Sequence, residues 1–204
     1  MPTASRSYRG ASADERRAVR RQQFVDAGIA VFGTSGYRSA TIESVSAEAG
    51  LIKRYFYESF DSLESLLCAV YEPIVRELRE EVVTGAADGT TAVDAMAGAM
   101  TGFLDWAEAH PRKARVQLIE VLGISPRVDE MYRLATKDFA GALADLVEQR
   151  MAGDFSSSQR DLVGTLIVGA GLELVTQWVL DDFDPPKQQL LDDASRVLHI
   201  MFPR

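Results

Sequence analysis

The chain has 204 residues, 47% of them apolar, a single cysteine (Cys68) and a formal net charge of −8, which excludes an internal disulfide framework and leaves enough apolar material for a core without a metal staple. The acid excess is uneven: residues 1–60 carry 9 Lys and Arg against 6 Asp and Glu, and residues 61–204 carry 13 against 24, so the front end suits phosphate and the rear does not. No secretory leader pattern opens the chain, and the most apolar stretch, Leu162 to Leu180, is broken by Gly164, Thr165, Glu173, Thr176 and Gln177, so a cytoplasmic protein with no membrane span is expected.

Residues 1–13 are small, polar and basic, with Arg6 and Arg9 and no apolar period, and are expected to form a disordered arm. A first helix follows, capped at Asp14, with apolar positions at Val19, Phe24, Ala27 and Val31 and a stop at Gly36. Gly28 in its middle costs about 1 kcal/mol relative to alanine unless a close neighbour requires it. Thr41 ahead of Ile42 and Val45 reads as the cap of a short second helix that Gly50 closes. After a brief break, Lys53-Arg54-Tyr55-Phe56-Tyr57 forms a helical turn or two, with Phe56 and Phe60 facing inward. Ser62 then caps a long fourth helix whose apolar residues, Leu63, Leu66, Leu67, Val70, Tyr71, Ile74, Val75 and Leu78, keep helical spacing. Pro73 inside it removes a backbone hydrogen bond, which predicts a kink near residues 69 and 70, either a hinge or a fixed bend.

Beyond a break from Gly85 to Gly89, five more helices are expected at about 91–109, 112–122, 126–151, 158–180 and 185–202, punctuated by His110-Pro111, Gly123 through Pro126, Gly153 and Asp184-Pro185-Pro186. Pro126 and Pro185 each suit a first helical position behind caps at Ser125 and Asp184. Strand signals are absent, so the fold is all-α. Three parts result: the arm 1–13, a helix-turn-helix unit over 14–61 with the motif itself at about 41–60, and a connecting helix plus helical body over 62–204.

Ser46, Ala47, Ala49 and Gly50 are small enough to let two helices cross tightly over Val45, Leu51 and Phe56. The second helix of such a pair projects its first side chains into a major groove. Lys53 and Arg54 can neutralise phosphates or reach guanine; Tyr55 and Tyr57 offer a hydroxyl to phosphate and a ring edge to thymine methyls.

Phe24-Val25-Asp26-Ala27 with Val31-Phe32, then Gly36-Tyr37, Thr41-Ile42, Ala49-Gly50-Leu51, Tyr57, Phe60 and Leu66-Leu67 stand at ungapped spacings. In these residues, 17–70 resembles the N-terminal domain of the tetracycline-repressor (TetR) family of bacterial regulators. The resemblance implies a three-helix DNA-binding domain, a long connecting helix, and a variable helical domain that dimerises and takes a small ligand. It also implies that Thr41 and Tyr57 contact backbone phosphates while Lys53, Arg54 and Tyr55 line the groove. The expected partners are a near-palindromic double-stranded operator, a second copy of the chain joined through the last two helices, and a small apolar effector; the output is repression relieved by that effector. Ile52, Glu58, Ser59 and Leu63 depart from the family's usual pattern. They keep a second reading open: a helical small-molecule-binding or adaptor protein with a degenerate helix-turn-helix.

In the body, Trp106, Leu118, Leu122, Met131, Phe139 and Trp178 are large apolar residues that either line a pocket or fill a core. Glu173 and Gln177, four residues apart in the most apolar helix, join the candidate pocket set, since a buried acid needs a ligand, a second subunit or an arginine of the same chain. Gly164, Gly169, Ala170 and Gly171 make a smooth helix surface that suits a dimer contact, a ligand or an intrachain crossing. His110 and His199 stand in no ligand-spaced cluster with Cys68, and no phosphate-binding loop, nucleophile elbow or dinucleotide fingerprint is present. No enzyme activity, cofactor or metal is expected.

Overall fold

A computed structural model describes residues 12–151 and 155–201, in which every regular element is helical. The helices are α1 (Ala13–Ser35), α2 (Ile42–Glu48), α3 (Lys53–Tyr57), α4 (Leu63–Ala87), α5 (Ala92–Ala109), α6 (Pro111–Arg115), α7 (Pro126–Glu148), α8 (Ser157–Leu180) and α9 (Lys187–Met201). A 3-10 turn, Tyr37–Ser39, follows α1, and a π turn, Val116–Glu120, continues α6. Most of the arm expected at 1–13 lies outside the described residues.

Local chemistry sets most helix starts. The side chains of Thr41, Ser62, Thr91, Ser125 and Ser156 each accept a hydrogen bond from the backbone N–H three residues on, satisfying one of the donors a helix start leaves open. The first helix departs from expectation. Its cap is Ser12, whose hydroxyl accepts from Glu15 N–H at 3.0 Å while the Glu15 carboxylate accepts from Ser12 N–H, and Asp14 sits within the first turn.

Two other boundaries differ from the sequence reading. The helix expected at 112–122 gives way after Arg115 to the π turn, in which Val121 N–H bonds Val116 C=O at 3.2 Å. This wider turn buries three consecutive residues, Val116, Gln117 and Leu118, and still carries Glu120 toward the N-terminal helices. At the other end, Pro185 does not begin a helix. Trp178 Nε1 donates to the Pro185 carbonyl at 2.8 Å and stacks edge-on against Phe183, so the chain turns through Asp182 and Phe183 at positive φ before α9 starts at Lys187.

Helices α1 to α3 close over an aromatic cluster. Phe24 meets Phe56 edge-on at 5.4 Å between ring centres, and Phe60 completes the group at 6.5 Å from Phe24. All three are buried, whereas Val19, expected inside, is exposed on the first turns of α1. Gly28 has its reason: a Cβ there would lie 2.8 Å from Val70 Cγ2, so α1 crosses α4 at glycine distance. Helix α4 continues past Pro73 to Ala87 and packs along α5.

The body is a layered helical bundle in which α4 lies on α5, α7 on α8, and α9 on α5. Helices α4 and α5 meet backbone to backbone, since a Cβ on Gly98 would collide with the Gly85 carbonyl. Gly164 likewise faces the Ala140 carbonyl of α7, so the intrachain reading holds for that glycine, while Gly169 faces open space. Helix α8 is long and apolar enough to cross a membrane by length and composition, yet its outer face carries Glu173 and Gln177 and its inner face packs on α7.

One polar hub ties α4 to α5 and α6. The Glu77 carboxylate accepts from Trp106 Nε1 at 3.1 Å and from Lys113 Nζ at 2.6 Å, with His110 Nε2 3.2 Å away. Burial opposes ionisation of Glu77, but the hydrogen bonds from Lys113 and Trp106 with the Lys113 and His110 charges outweigh it and hold the carboxyl below its ordinary value of 4.5.

Two predictions follow from this packing. Gly98→Ala should lower unfolding stability in urea by about 1–3 kcal/mol through the α4–α5 clash, whereas Gly141→Ala, with nothing within 4 Å of the new Cβ, should raise it by about 0.5–1 kcal/mol. A carboxyl whose folded pKa is depressed stabilises above its unfolded pKa and loses that contribution as pH falls through the folded value. Glu77→Gln should therefore be less stable than wild type by about 1 kcal/mol at pH 7, with the difference shrinking as pH falls below 4.5.

Candidate nucleic-acid interface and effector cavity

Helices α2 and α3 form a helix-turn-helix. Ala49 and Gly50 make the corner, Gly50 at φ +65°, and Leu51 N–H closes it on the Ser46 carbonyl at 2.9 Å. Phe56 plugs α3 into the aromatic cluster, so the remaining faces of α3 are fixed in direction. Arg54 and Tyr57 point outward, the Arg54 side chain 82% exposed. Lys53 is also exposed and pairs with Glu43 of α2. Thr41 is exposed at the start of α2, its oxygen accepting from Ser44 N–H, which leaves its own proton for an outside acceptor.

Tyr55 is placed differently from its neighbours. It is half-buried, with the Arg20 guanidinium 4.4 Å over its ring, so much of its surface is committed inside the head. Glu58, which from sequence sets an acid beside the reading face, is held by cations: Arg54 at 3.3 Å, Arg20 at 3.3 Å, and Arg17 on its carbonyl. Arg21 stacks on Phe60 at 4.9 Å. Arg17, Arg20 and Arg21 thus join the basic surface beside α3, a group the sequence reading passed over. Their signal was present in the Arg16-Arg17 and Arg20-Arg21 pairs, one helical turn apart on α1.

The head is tied to the body at a second place besides α4. Glu120, at the end of the π turn, accepts from Tyr37 N–H at 2.8 Å and is itself held by Arg115 Nε at 3.0 Å. Arg38 donates to the Gly123 carbonyl at 3.1 Å, and Gly33 of α1 lies against the Arg112 backbone of α6.

The body residues expected to line a pocket scatter. Trp106, Leu118 and Trp178 are each 2% exposed and packed in the core, with the indole nitrogens of Trp106 and Trp178 already hydrogen-bonded. Leu122 is exposed on the turn after α6. Glu173 and Gln177 are exposed and bonded to each other at 3.2 Å, so the expectation of a buried acid is corrected: the outer face of α8 carries them. Met131 borders a shallow cleft near Cys68 and Arg127. Phe139 alone of the set lines the enclosed cavity that the described residues contain, of about 170 Å³, together with Tyr71, Val75, Leu78, Gln117, Val168 and Leu172. This cavity opens past Arg79, Thr136 and Asp138 to a wide surface cleft. Cys68 is half-buried, and that burial pushes its thiol up, away from thiolate reactivity.

Comparison with known proteins agrees with this geometry. Residues 24–70 match the family model described as bacterial regulatory proteins, tetR family. The fatty acid degradation regulator FadR from Bacillus halodurans superposes with a TM-score of 0.75 at 16% identity, covering 93% of this chain and 96% of that one. FadR from Bacillus subtilis, solved in complex with stearoyl-CoA, gives 0.73 at 18% identity over 87% and 96%. A tetR family regulator from Shewanella sp. PV-4 gives 0.68 at 21% identity over 88% and 95%. The matched helix-turn-helix head and the shared fold identify this chain as a member of the TetR family of bacterial regulators.

Proposed function

We propose that the chain is a one-component transcriptional repressor that binds a near-palindromic operator as a homodimer and leaves it when a small, largely apolar ligand enters the body. The observation that carries this reading is the α3 surface: Arg54 and Tyr57 project from a helix locked by Phe56, with Thr41, Lys53 and the α1 arginines around them. Such a face combines phosphate contacts that position with side chains long enough to read bases. A cytoplasmic location accords with a DNA partner.

The outer face of α8 supports the dimer. Leu162, Leu166 and Leu180 are each more than half exposed, in one stripe with Gly169, Ala170, Glu173 and Gln177, and Val197 and Ile200 are exposed on α9. A two-fold pairing of α8 and α9 covers that stripe and sets two α3 helices against two half-sites. The ligand's influence on DNA runs through α4, with Pro73 as its compliant point, and through the Glu120 contact with Tyr37.

A second reading, a ligand-binding or adaptor protein with a degenerate helix-turn-helix, draws on the missing side-chain cap at Ile52 and on the pairing of Lys53 and Arg54 with acids. A mobility shift with DNA upstream of the chain's own gene separates the two. The folded chain should retard a specific fragment; retention of no fragment by a folded dimer favours the second reading. Arg54→Ala should cost about 1–3 kcal/mol of operator discrimination, and Lys53→Ala should weaken all sequences evenly and reduce the salt slope by about 1. Light scattering at micromolar concentration should show a dimer that Leu166→Glu dissociates. A monomeric wild type contradicts the proposal.

A further inference from the structure

We propose that the enclosed cavity between α4, the π turn, α7 and α8 takes a compact apolar phenol or alcohol, whose single hydroxyl accepts a hydrogen bond from Tyr71 Oη and donates one to Gln117 Oε1. The inference rests on the regulator reading and names the class of its effector. Two polar atoms direct it. Tyr71 is 1% exposed and Gln117 is 5% exposed, both line the cavity, and neither Tyr71 Oη nor Gln117 Oε1 has a hydrogen-bond partner. Burial pushes the Tyr71 phenol up, so it stays a neutral donor; Gln117 beside it acts in the opposite direction, though the two side chains do not reach hydrogen-bonding geometry. Buried polar atoms without partners are rare in folded proteins and cost about 1–3 kcal/mol each.

The donor and acceptor set then selects the ligand. A carbonyl accepts from Tyr71 but gives nothing to Gln117 Oε1, and an ammonium donates but cannot accept from the phenol; a hydroxyl does both at once. The remaining wall is apolar, with Val75, Leu78, Phe139, Val168 and Leu172. Charge at the mouth is balanced between Arg79 and Asp138, both exposed, so nothing there demands an ionised ligand. Size sets the rest. An apolar cavity of roughly 150 Å³ accepts benzene, so the 170 Å³ here holds one ring with a short substituent. A stearoyl chain, with three times the carbons of benzene, needs far more room, and the apolar pocket beyond Phe139 adds only about 40 Å³. A water molecule, at about 30 Å³ of liquid volume, satisfies the polar atoms but leaves the apolar wall wet.

Three probes of equal heavy-atom count test the assignment by calorimetry on the full-length protein: 4-ethylphenol, which donates and accepts, 4-methylbenzaldehyde, which only accepts, and propylbenzene, which does neither. 4-Ethylphenol should bind about tenfold more tightly than the other two, the effect of one well-made buried hydrogen bond. In Tyr71→Phe and in Gln117→Leu the three should bind within about twofold of one another, and propylbenzene binding reports that each variant's cavity is intact. Equal affinities in wild type, discrimination that survives both variants, binding of no probe because the cavity holds water only, or binding of stearoyl-CoA in place of the small probes each overturns the proposal. A mobility shift on the same preparation keeps the two readings apart: operator binding without phenol binding sinks the ligand class alone, and absence of operator binding sinks the regulator reading whatever the calorimetry shows.

Discussion

The hydrogen bond from Tyr37 N–H to Glu120 is the constraint on which the arrangement of head and body depends. A single long helix, α4, leaves two helical units free to bend about it; a second attachment off that axis removes the freedom. Glu120 is suited to the task because its carboxylate is 11% exposed and braced by Arg115, so its position is set before Tyr37 meets it. Arg38 on the Gly123 carbonyl and Gly33 against the Arg112 backbone widen the same contact. The irregular π turn makes this possible: it faces the cavity with Gln117 and the head with Glu120, three residues apart. A molecule that shifts Gln117 acts on the turn that holds the head, and its effect is limited to the difference in its affinity between the two head positions.

The head shows how acidic residues serve a DNA-facing surface. Glu58 carries charge of the wrong sign for phosphate, yet it accepts contacts from Arg17, Arg20 and Arg54 and so orients cations from two helices. Arg20 also lies over Tyr55, and Arg21 over Phe60, which fixes the stems of these long side chains against aromatic rings and lowers the entropy lost when they meet DNA. The pairs are exposed or half-exposed, so each is weak in water and is readily exchanged for phosphate.

Much of this was legible from local chemistry. Thr41, Ser62, Ser125 and the glycines at 36 and 50 signal helix ends because capping and positive φ are decided within a few residues. The spacing of Phe24, Phe56 and Phe60 foretells the head's core for the same reason. Features that depend on distant contacts were not legible. A π turn carries no sequence period, so Val116–Glu120 read as ordinary helix; the hold of Trp178 on the Pro185 carbonyl overrode a proline that otherwise suits a helix start. The pocket was misjudged because size alone does not distinguish a core tryptophan from a wall. The informative signal was a polar residue, Gln117, within an apolar run, and a tyrosine, Tyr71, at an inward position of α4. Glu173 misled in the opposite way, since an apolar helix with one solvent-facing stripe places its acid outside.

The central claim, that the π turn fixes the reading heads of a dimer, is tested most directly by the distance between them. Spin labels at Glu48→Cys in a Cys68→Ala background, measured by double electron–electron resonance, should give one narrow inter-subunit distance in the otherwise wild-type protein. Glu120→Ala should leave the dimer intact and broaden that distribution. An equally narrow distribution in the Glu120→Ala protein, or no dipolar signal at all, contradicts the account.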